Sequence, residues 1–147
     1  MVININALTS SVSFEKHKFN FKGNFKFKGY SQGGFELHSD EVLIMFRKSE
    51  LKYTKIGDIE TKEDFAKFIF GLADVTYFSS NYFNGEKYAY AIYKPIFSGQ
   101  SRQMTFLMTN KEEVFSITFR CSPDYMSNNY LNFIEWVKAI TIELDLT

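Results

Sequence analysis

The segment from Phe14 to Phe35 alternates phenylalanine and lysine, and this alternation constrains the fold more than any other feature of the chain. From residue 18 to residue 28 the phenylalanines occupy odd positions and the lysines even positions, namely Phe19, Phe21, Phe25 and Phe27 against Lys18, Lys22, Lys26 and Lys28. Side chains on a β-strand point alternately to opposite faces, so this pattern predicts strands with one buried face and one solvated face. We therefore expect the rings to point into a core and the ammonium groups to point outward.

The length and the aromatic content predict one β-rich domain. The chain has 147 residues, which is enough for a single core that needs no disulfide or metal. Seventeen phenylalanines and nine tyrosines favour a core built on β-strands over a bundle of leucine-rich helices. We treat residues 1–147 as one domain, in which Phe/Lys-rich strands at 12–38 lead into the remainder.

The charge balance argues against a nucleic-acid partner. Lysine plus arginine and aspartate plus glutamate both number 17, whereas nucleic-acid-binding domains generally carry a basic excess. Base stacking would also require the phenylalanines to lie on the same exposed face as the lysines, and the alternation places them on opposite faces. The lysine-rich face instead suits an acidic protein partner.

The single cysteine and the sequence of the N-terminus predict a cytoplasmic protein. Cys121 excludes an internal disulfide, which suits a reducing compartment. The N-terminal segment lacks the basic start, the long apolar run and the cleavage site of a secretory signal. No run approaches the roughly 18 apolar residues of a membrane span, so we expect no membrane association.

The first helix is predicted to begin at Thr61, which is a good N-cap residue. Glu63 and Asp64 follow in the first turn, where carboxylates favour the positive end of the helix dipole. The apolar stripe of this helix is expected to be Phe65, Phe68, Ile69 and Leu72, at spacings of three and four residues.

Two hairpins are predicted after that helix. Asn84-Gly85 favours a type I′ turn between "VTYFSSNYF" and "EKYAYAIYKPIF". In the second of these strands, Ala89 and Ala91 share a face whose small side chains would let a helix approach closely. "QMTFLMT" and "EVFSITFR" read as the second hairpin.

A second helix is predicted to begin at Ser122, because Ser122 can cap it and Pro123 suits the first helical position. Its buried stripe is expected to contain Met126, Tyr130, Phe133, Ile134, Val137 and Ile140. After this helix, "ITIELDL" alternates again and predicts a closing strand.

The order of elements predicts an α+β fold, in which a twisted antiparallel sheet packs against two main α-helices. The segment "EVFSITFRCSPDYMSNNYLNFIEWVKAITI" resembles the closing segment of PsbP-like and DcrB-like proteins. There a strand ends in a cysteine or small residue and is followed by a proline-containing junction, an amphipathic helix and a short strand. The resemblance extends over residues 35–145. It implies a PsbP-like/DcrB-like sandwich in a family that is mostly non-enzymatic and whose bacterial members include chaperones of type VI secretion effectors.

Catalytic and metal sites are not indicated by the sequence. Cys121 precedes a predicted helix N-terminus, where a thiol can become reactive, and its only candidate bases are His17 and His38. A buried, inert cysteine is the favoured interpretation. His38, Asp40 and Glu36 are more simply a solvated turn than a metal site, and two histidines with one cysteine match no zinc spacing. We expect no cofactor, no metal and no catalytic residue, and retain a Cys121-dependent enzyme as the third hypothesis.

The leading functional prediction is a small non-enzymatic bacterial protein-binding module, namely an immunity protein that neutralises a cognate toxin by direct binding. The alternative is a DcrB-like chaperone or adaptor for a type VI secretion effector. The partner is accordingly a toxin or an effector, and a homodimer is left open. The candidate protein-binding residues are Lys22, Lys26, Lys28, Tyr30, Tyr88 and Tyr90. Tyrosine suits an interface because it offers a large contact area at small entropic cost.

Overall fold

The computed structural model describes most of the chain. The described residues are 9–23, 25–31, 33–49, 59–67, 72–83, 86–95, 100–110 and 113–144. Within them the chain forms ten β-strands and two α-helices. The strands are β1 (Thr9–Phe14), β2 (His17–Lys22), β3 (Lys26–Ser31), β4 (Gly34–His38), β5 (Leu43–Ser49), β6 (Leu72–Phe83), β7 (Glu86–Pro95), β8 (Arg102–Asn110), β9 (Glu113–Cys121) and β10 (Thr141–Leu144). The helices are α1 (Lys62–Ala66) and α2 (Pro123–Lys138).

The described strands form two antiparallel sheets. The small sheet has three strands in the order β1-β2-β10. The large sheet has seven, in the order β3-β4-β5-β9-β8-β7-β6, and every neighbouring pair is antiparallel. The two predicted hairpins are present as β6–β7 and β8–β9, whereas the turn at Asn84-Gly85 lies outside the described residues.

The predicted fold class is wrong. A single sheet packed against two main helices was expected, but the chain is mostly β, and its second layer is formed by a three-stranded sheet together with α2. The closing strand β10 is the physical reason, because it pairs with β2 and thereby builds a separate sheet from the two ends of the described chain.

The first helix is also much shorter than its apolar stripe suggested. Thr61 does cap it, with the Asp64 N–H donating to the Thr61 hydroxyl at 3.2 Å and the Asp64 carboxylate accepting from the Thr61 N–H at 3.1 Å. The helix spans only five residues, and Leu72 belongs to β6. Phe68 and Ile69 lie outside the described residues. Strand pairing at Leu72 therefore overrides the helical periodicity.

The main core lies between one face of the large sheet and the layer formed by α2 and the small sheet. The rings of Phe119 on β9 and Phe133 on α2 stack with centroids 4.3 Å apart. Trp136 on α2 is fully buried, and its indole N–H donates to the carbonyl oxygen of Lys22. As predicted, Ser122 caps α2, accepting from the Tyr125 N–H at 3.2 Å. Helix α2 thus fixes the small sheet against the large one.

The opposite face of the large sheet packs against α1. Ala89 and Ala91 are fully buried on β7, in a second apolar cluster with Phe65 of α1. The rings of Phe65 and Phe78 meet edge to face at 5.9 Å. The expectation that these two alanines admit a closely packed helix is therefore confirmed.

The Phe/Lys alternation holds in β2 and fails in β3. In β2, Phe19 and Phe21 are buried, whereas Lys22 is exposed. In β3, Lys26, Phe27 and Lys28 are exposed in succession, and Phe27 keeps 44% of its surface accessible. The pairing with β4 shifts register between Phe27 and Gly29, whose φ of 149° suits glycine alone. This bulge breaks the period on which the prediction rested.

Candidate functional site

Two of the three predicted lysines lie at one edge of the large sheet, and the third lies on the small sheet. Lys26 and Lys28 are exposed on β3, which is the edge strand next to β4, and Lys22 is exposed at the end of β2. Tyr30, also on β3, is 64% exposed. The β3 edge therefore combines positive charge, a bulge and a six-residue strand, which are the devices that discourage an added strand.

The aromatic residues of the β3 edge are held against the small sheet. The Tyr30 ring lies 6.4 Å from Phe14 in a stacked arrangement and 5.0 Å from Phe27 in an edge-to-face arrangement. The Tyr30 hydroxyl donates to the carbonyl oxygen of Ser13 at 2.8 Å. Tyr30 therefore links the edge of the large sheet to β1.

The opposite edge of the large sheet is β6, and it has a different character. After a register irregularity between Ala73 and Tyr77, the strand pairs regularly with β7 over residues 77–83. This stretch reads YFSSNYF and contains no charged residue and no proline. Tyr77 is 47% exposed and Tyr82 is 66% exposed. The Tyr82 N–H donates to the side-chain oxygen of Asn81 at 2.8 Å.

Four tyrosines at β6 and beside it form a continuous series of ring contacts. Tyr77 stacks on Tyr90 with ring centroids 5.8 Å apart, and Tyr90 is flanked on its other side by Tyr88 at 6.1 Å. Tyr130 of α2 lies 6.3 Å from Tyr77. Tyr90 is only 6% exposed. Burial, followed by a hydrogen bond with Tyr77, raises the pKa of Tyr90 to about 12. Tyr90 is therefore a neutral buried support for the exposed ring of Tyr77.

A groove of about 430 Å³ opens between β6 and α2. This volume lies within the range of roughly 300–1,000 Å³ that is usual for ligand sites. Its walls combine aromatic, aliphatic and thioether groups with one cation, and the lining residues are Thr76, Tyr77, Ile92, Arg102, Pro123, Met126, Ser127 and Tyr130. The Arg102 guanidinium donates to the carbonyl oxygen of Ser101 at 3.1 Å, and within the described residues no carboxylate is seen to pair with it.

The structure does not bring the predicted binding residues together. Lys26, Lys28 and Tyr30 lie on the first strand of the large sheet and Tyr88 and Tyr90 on the sixth. Five strand spacings of about 4.8 Å separate them by about 24 Å.

Sequence reasoning missed the groove. Tyr77 lies in the segment VTYFSSNYF, which was assigned to a hairpin strand, while Met126 and Tyr130 were assigned to the buried stripe of α2. No local sequence pattern marked Arg102, because Arg102 reaches the groove only where β8 passes the start of α2.

Cys121 has the environment of a structural cysteine. It is buried in the main core, and burial raises the pKa of its thiol to about 12. His17 contacts Glu113 at the other end of β9, eight residues or about 27 Å away. His38 lies in register with Leu43 and Arg120, and so on the sheet face opposite Cys121. Neither histidine is placed to activate this thiol.

A charged cluster joins the two sheets. His17 of β2 is buried, and its Nε2 lies 2.6 Å from a carboxylate oxygen of Glu113 on β9. Lys48 of β5 approaches Glu113 at 2.9 Å and Glu15 at 3.3 Å. The hydrogen bond with Glu113 is the largest cause that raises the pKa of Lys48. The His17 ring also meets Phe115 edge to face at 5.4 Å, so this cluster stabilises the sheet–sheet contact.

The described residues provide neither a metal-binding cluster nor a membrane-spanning helix. That part of the chain contains no group of three or more histidine, cysteine, aspartate or glutamate side chains arranged to hold a metal ion. Neither of its helices has the length and apolar character needed to cross a bilayer.

Comparison with known proteins identifies the fold. No protein-family model matches the sequence, and no curated protein matches it. Among solved structures, cyanobacterial PsbP (CyanoP) from Synechocystis sp. PCC 6803 superposes with a TM-score of 0.68 at 14% identity, covering 93% of this chain and 94% of that one. Protein PA94 from Pseudomonas aeruginosa, of unknown function, superposes with a TM-score of 0.52 at 9% identity, covering 89% and 94%. The fold is PsbP-like, which confirms the resemblance found in the sequence.

Proposed function

We propose that the chain is a small non-enzymatic protein-binding module, and that it acts as an immunity protein that neutralises a cognate toxin by direct binding. The observation that carries this proposal is the β6 surface, where the uncharged stretch 77–83 of the edge strand carries the exposed Tyr77 and Tyr82 beside a groove. Tyrosine-rich, partly apolar surfaces are typical of protein interfaces.

The rigidity of this surface suits stoichiometric inhibition. Tyr77 stacks on the buried ring of Tyr90 and lies at a tilt against Tyr130 of α2, so two rings position it before a partner binds. A preformed surface loses less conformational entropy on binding, which raises affinity without additional contacts. Cys121 and His17 both have structural roles, which supports binding over catalysis.

The size of the groove favours docked side chains over an enclosed helix. One helical turn is 5.4 Å long and, with side chains, at least about 10 Å wide, which corresponds to roughly 420 Å³. A groove of about 430 Å³ therefore accommodates one turn at most. A chaperone that holds a long apolar helix of a secretion effector needs a longer groove, and α2 with the small sheet already covers the sheet face where such a helix would lie.

The test is complex formation with the products of neighbouring genes. Each product is co-expressed with this chain, and complexes are analysed by size-exclusion chromatography with light scattering. We expect a one-to-one complex with a toxin whose activity is lost in the complex. A complex in which the partner keeps its toxicity, or the absence of any complex with all neighbouring products, would refute the immunity role.

A further inference from the structure

We infer that the groove beside β6 binds the free C-terminal segment of a partner protein, with the partner's backbone adding to the β6 edge and its terminal carboxylate meeting Arg102. This inference rests on the proposed protein-binding function and names the chemistry of the partner. Three features of the structure lead to it: the nature of the edge, the lining of the groove and the depth at which Arg102 lies.

The β6 edge is suited to pairing with an extended chain. Residues 77–83 form a regular seven-residue stretch with no charge, which extends about 23 Å. Exposed edges offer unpaired backbone groups to an incoming strand, and strand addition is a recurrent mode of peptide recognition.

The groove next to this edge is suited to an apolar side chain. Tyr77 and Tyr130 provide aromatic walls, and Ile92 and Met126 contribute aliphatic and thioether surface. Side chains of an added strand alternate between the two faces of the sheet, so those on the α2 side point toward the mouth of this groove. An apolar residue near the end of the partner segment is expected to occupy it.

Charge complementarity selects a carboxylate as the group that reaches Arg102. Arg102 is half-buried in the groove, and its neighbouring acceptor is the neutral carbonyl of Ser101. A guanidinium in such a site favours a carboxylate, because charge-assisted hydrogen bonds are about twice as strong as neutral ones.

The position of β8 requires that this carboxylate lie at a chain end. A strand added outside β6 lies three strand spacings, or about 14 Å, from β8, which carries Arg102. Strand side chains stand roughly perpendicular to the sheet, so an acidic side chain of the added strand and the Arg102 side chain would not span that distance across the sheet. The end of a chain can turn inward and follow the groove. A free C-terminus supplies both the carboxylate and the freedom to enter.

The experiment is selection from a library of random heptapeptides displayed at the C-terminus of a carrier, with the terminal carboxylate free and the full chain as bait. We expect enrichment of peptides with an apolar residue at or next to the terminus. A selected peptide is then synthesised as the free acid and as the C-terminal amide, and both affinities are measured by fluorescence polarisation. We expect the amide to bind at least about tenfold more weakly, since a charge-assisted contact is lost.

The variant Arg102→Gln tests whether Arg102 is the group that recognises the carboxylate. This variant should bind the acid and the amide equally, with an unchanged urea midpoint for unfolding. Lys62→Gln is the matched control, since it removes one positive charge from α1 on the other face of the sheet. It should keep the preference for the free acid. Failure to select any peptide, equal binding of acid and amide by the unaltered protein, or an acid preference retained in Arg102→Gln would each overturn the inference.

The outcomes separate this inference from the immunity role. A toxin complex that forms equally well with Arg102→Gln leaves the immunity role standing and removes the inference. If peptide selection depends on Arg102 but no complex neutralises a toxin, the inference stands and the immunity role is removed.

Discussion

The two edges of the seven-stranded sheet differ in the features that decide whether another strand can join. The β3 edge is six residues long, bulged at Gly29, and carries Lys26 and Lys28. The β6 edge pairs regularly over residues 77–83 without any charged residue, and a groove opens beside it. The β3 edge therefore carries the features that oppose addition of a strand, and residues 77–83 of β6 do not.

The aromatic residues at the two ends of the sheet also differ in what they contact. Around β3, Phe25 packs edge to face on the buried Trp136 at 5.3 Å, and Tyr30 is tied to Ser13 by its hydroxyl. Around β6, Tyr77 rests on Tyr90 but keeps 47% of its surface exposed. Exposed rings occur at both ends, since Tyr30 is 64% exposed, and the feature that distinguishes the β6 end is the groove beside Tyr77.

The largest expected effect concerns the rings that stabilise the β3 end. Trp136→Ala should lower the free energy of unfolding by about 3–5 kcal/mol, because it empties a fully buried site that contacts Phe21, Phe25, Phe46 and Phe119. Urea unfolding followed by far-ultraviolet circular dichroism measures this, since Trp136 is the only tryptophan. A loss below about 1 kcal/mol would show that Trp136 is not an anchor.

The second-largest effect is expected when the charges that protect the β3 edge are removed. Lys26→Val combined with Lys28→Val should promote strand pairing between copies, strengthening self-association at least about tenfold, because two charges are replaced by a strand-favouring side chain. Sedimentation velocity measures the association. The control, Lys16→Val with Lys22→Val, removes the same charge outside β3 and should leave association unchanged. Equal association of both double variants would mean that net charge, and not edge protection, is responsible.

A smaller effect tests the exposed ring at the β6 end. Tyr77→Ala should weaken binding of a selected C-terminal peptide about tenfold and lower the free energy of unfolding by less than about 1 kcal/mol, since the ring is 47% exposed. Fluorescence polarisation and urea unfolding give the two numbers. The comparison between the two ends fails if the stability loss matches that of Trp136→Ala while peptide affinity is unchanged.

The smallest effect concerns the buried support of that ring. The folded pKa of Tyr90 is raised from 10.0 to about 12, so the neutral phenol is favoured in the folded state. The stability that this raised pKa contributes to the folded state is fully present below about pH 10 and is lost as the pH rises toward 12. The difference in free energy of unfolding between Tyr90→Phe and the unaltered protein should therefore shift by about 1 kcal/mol in favour of the variant from pH 8 to pH 11. Parallel stability curves between pH 8 and 11 would contradict the buried, neutral state of Tyr90.

Local patterns in the sequence predicted much of the fold. The caps at Thr61 and Ser122, the two hairpins and the alternation in β2 follow from interactions between neighbouring residues. The failures involve non-local pairing. Strand β10 pairs with β2 more than 100 residues away, as the contact of Ile142 with Phe19 illustrates, and no local pattern indicates such a partner.

The groove was unpredictable from sequence for the same reason. Its lining is drawn from β6, β7, β8 and α2, and each residue reads as ordinary strand or helix packing by itself. Arg102 in particular is a single charge at a strand start, and the lack of a carboxylate partner among the described residues becomes apparent only in three dimensions.

The most direct test of the central claim is amide hydrogen exchange of the full chain with and without a saturating selected C-terminal peptide. The account predicts that exchange slows at least about tenfold within residues 77–83 on β6 and does not change on β3, because a paired strand protects backbone amides. Slower exchange on β3, or no change on β6, would contradict it.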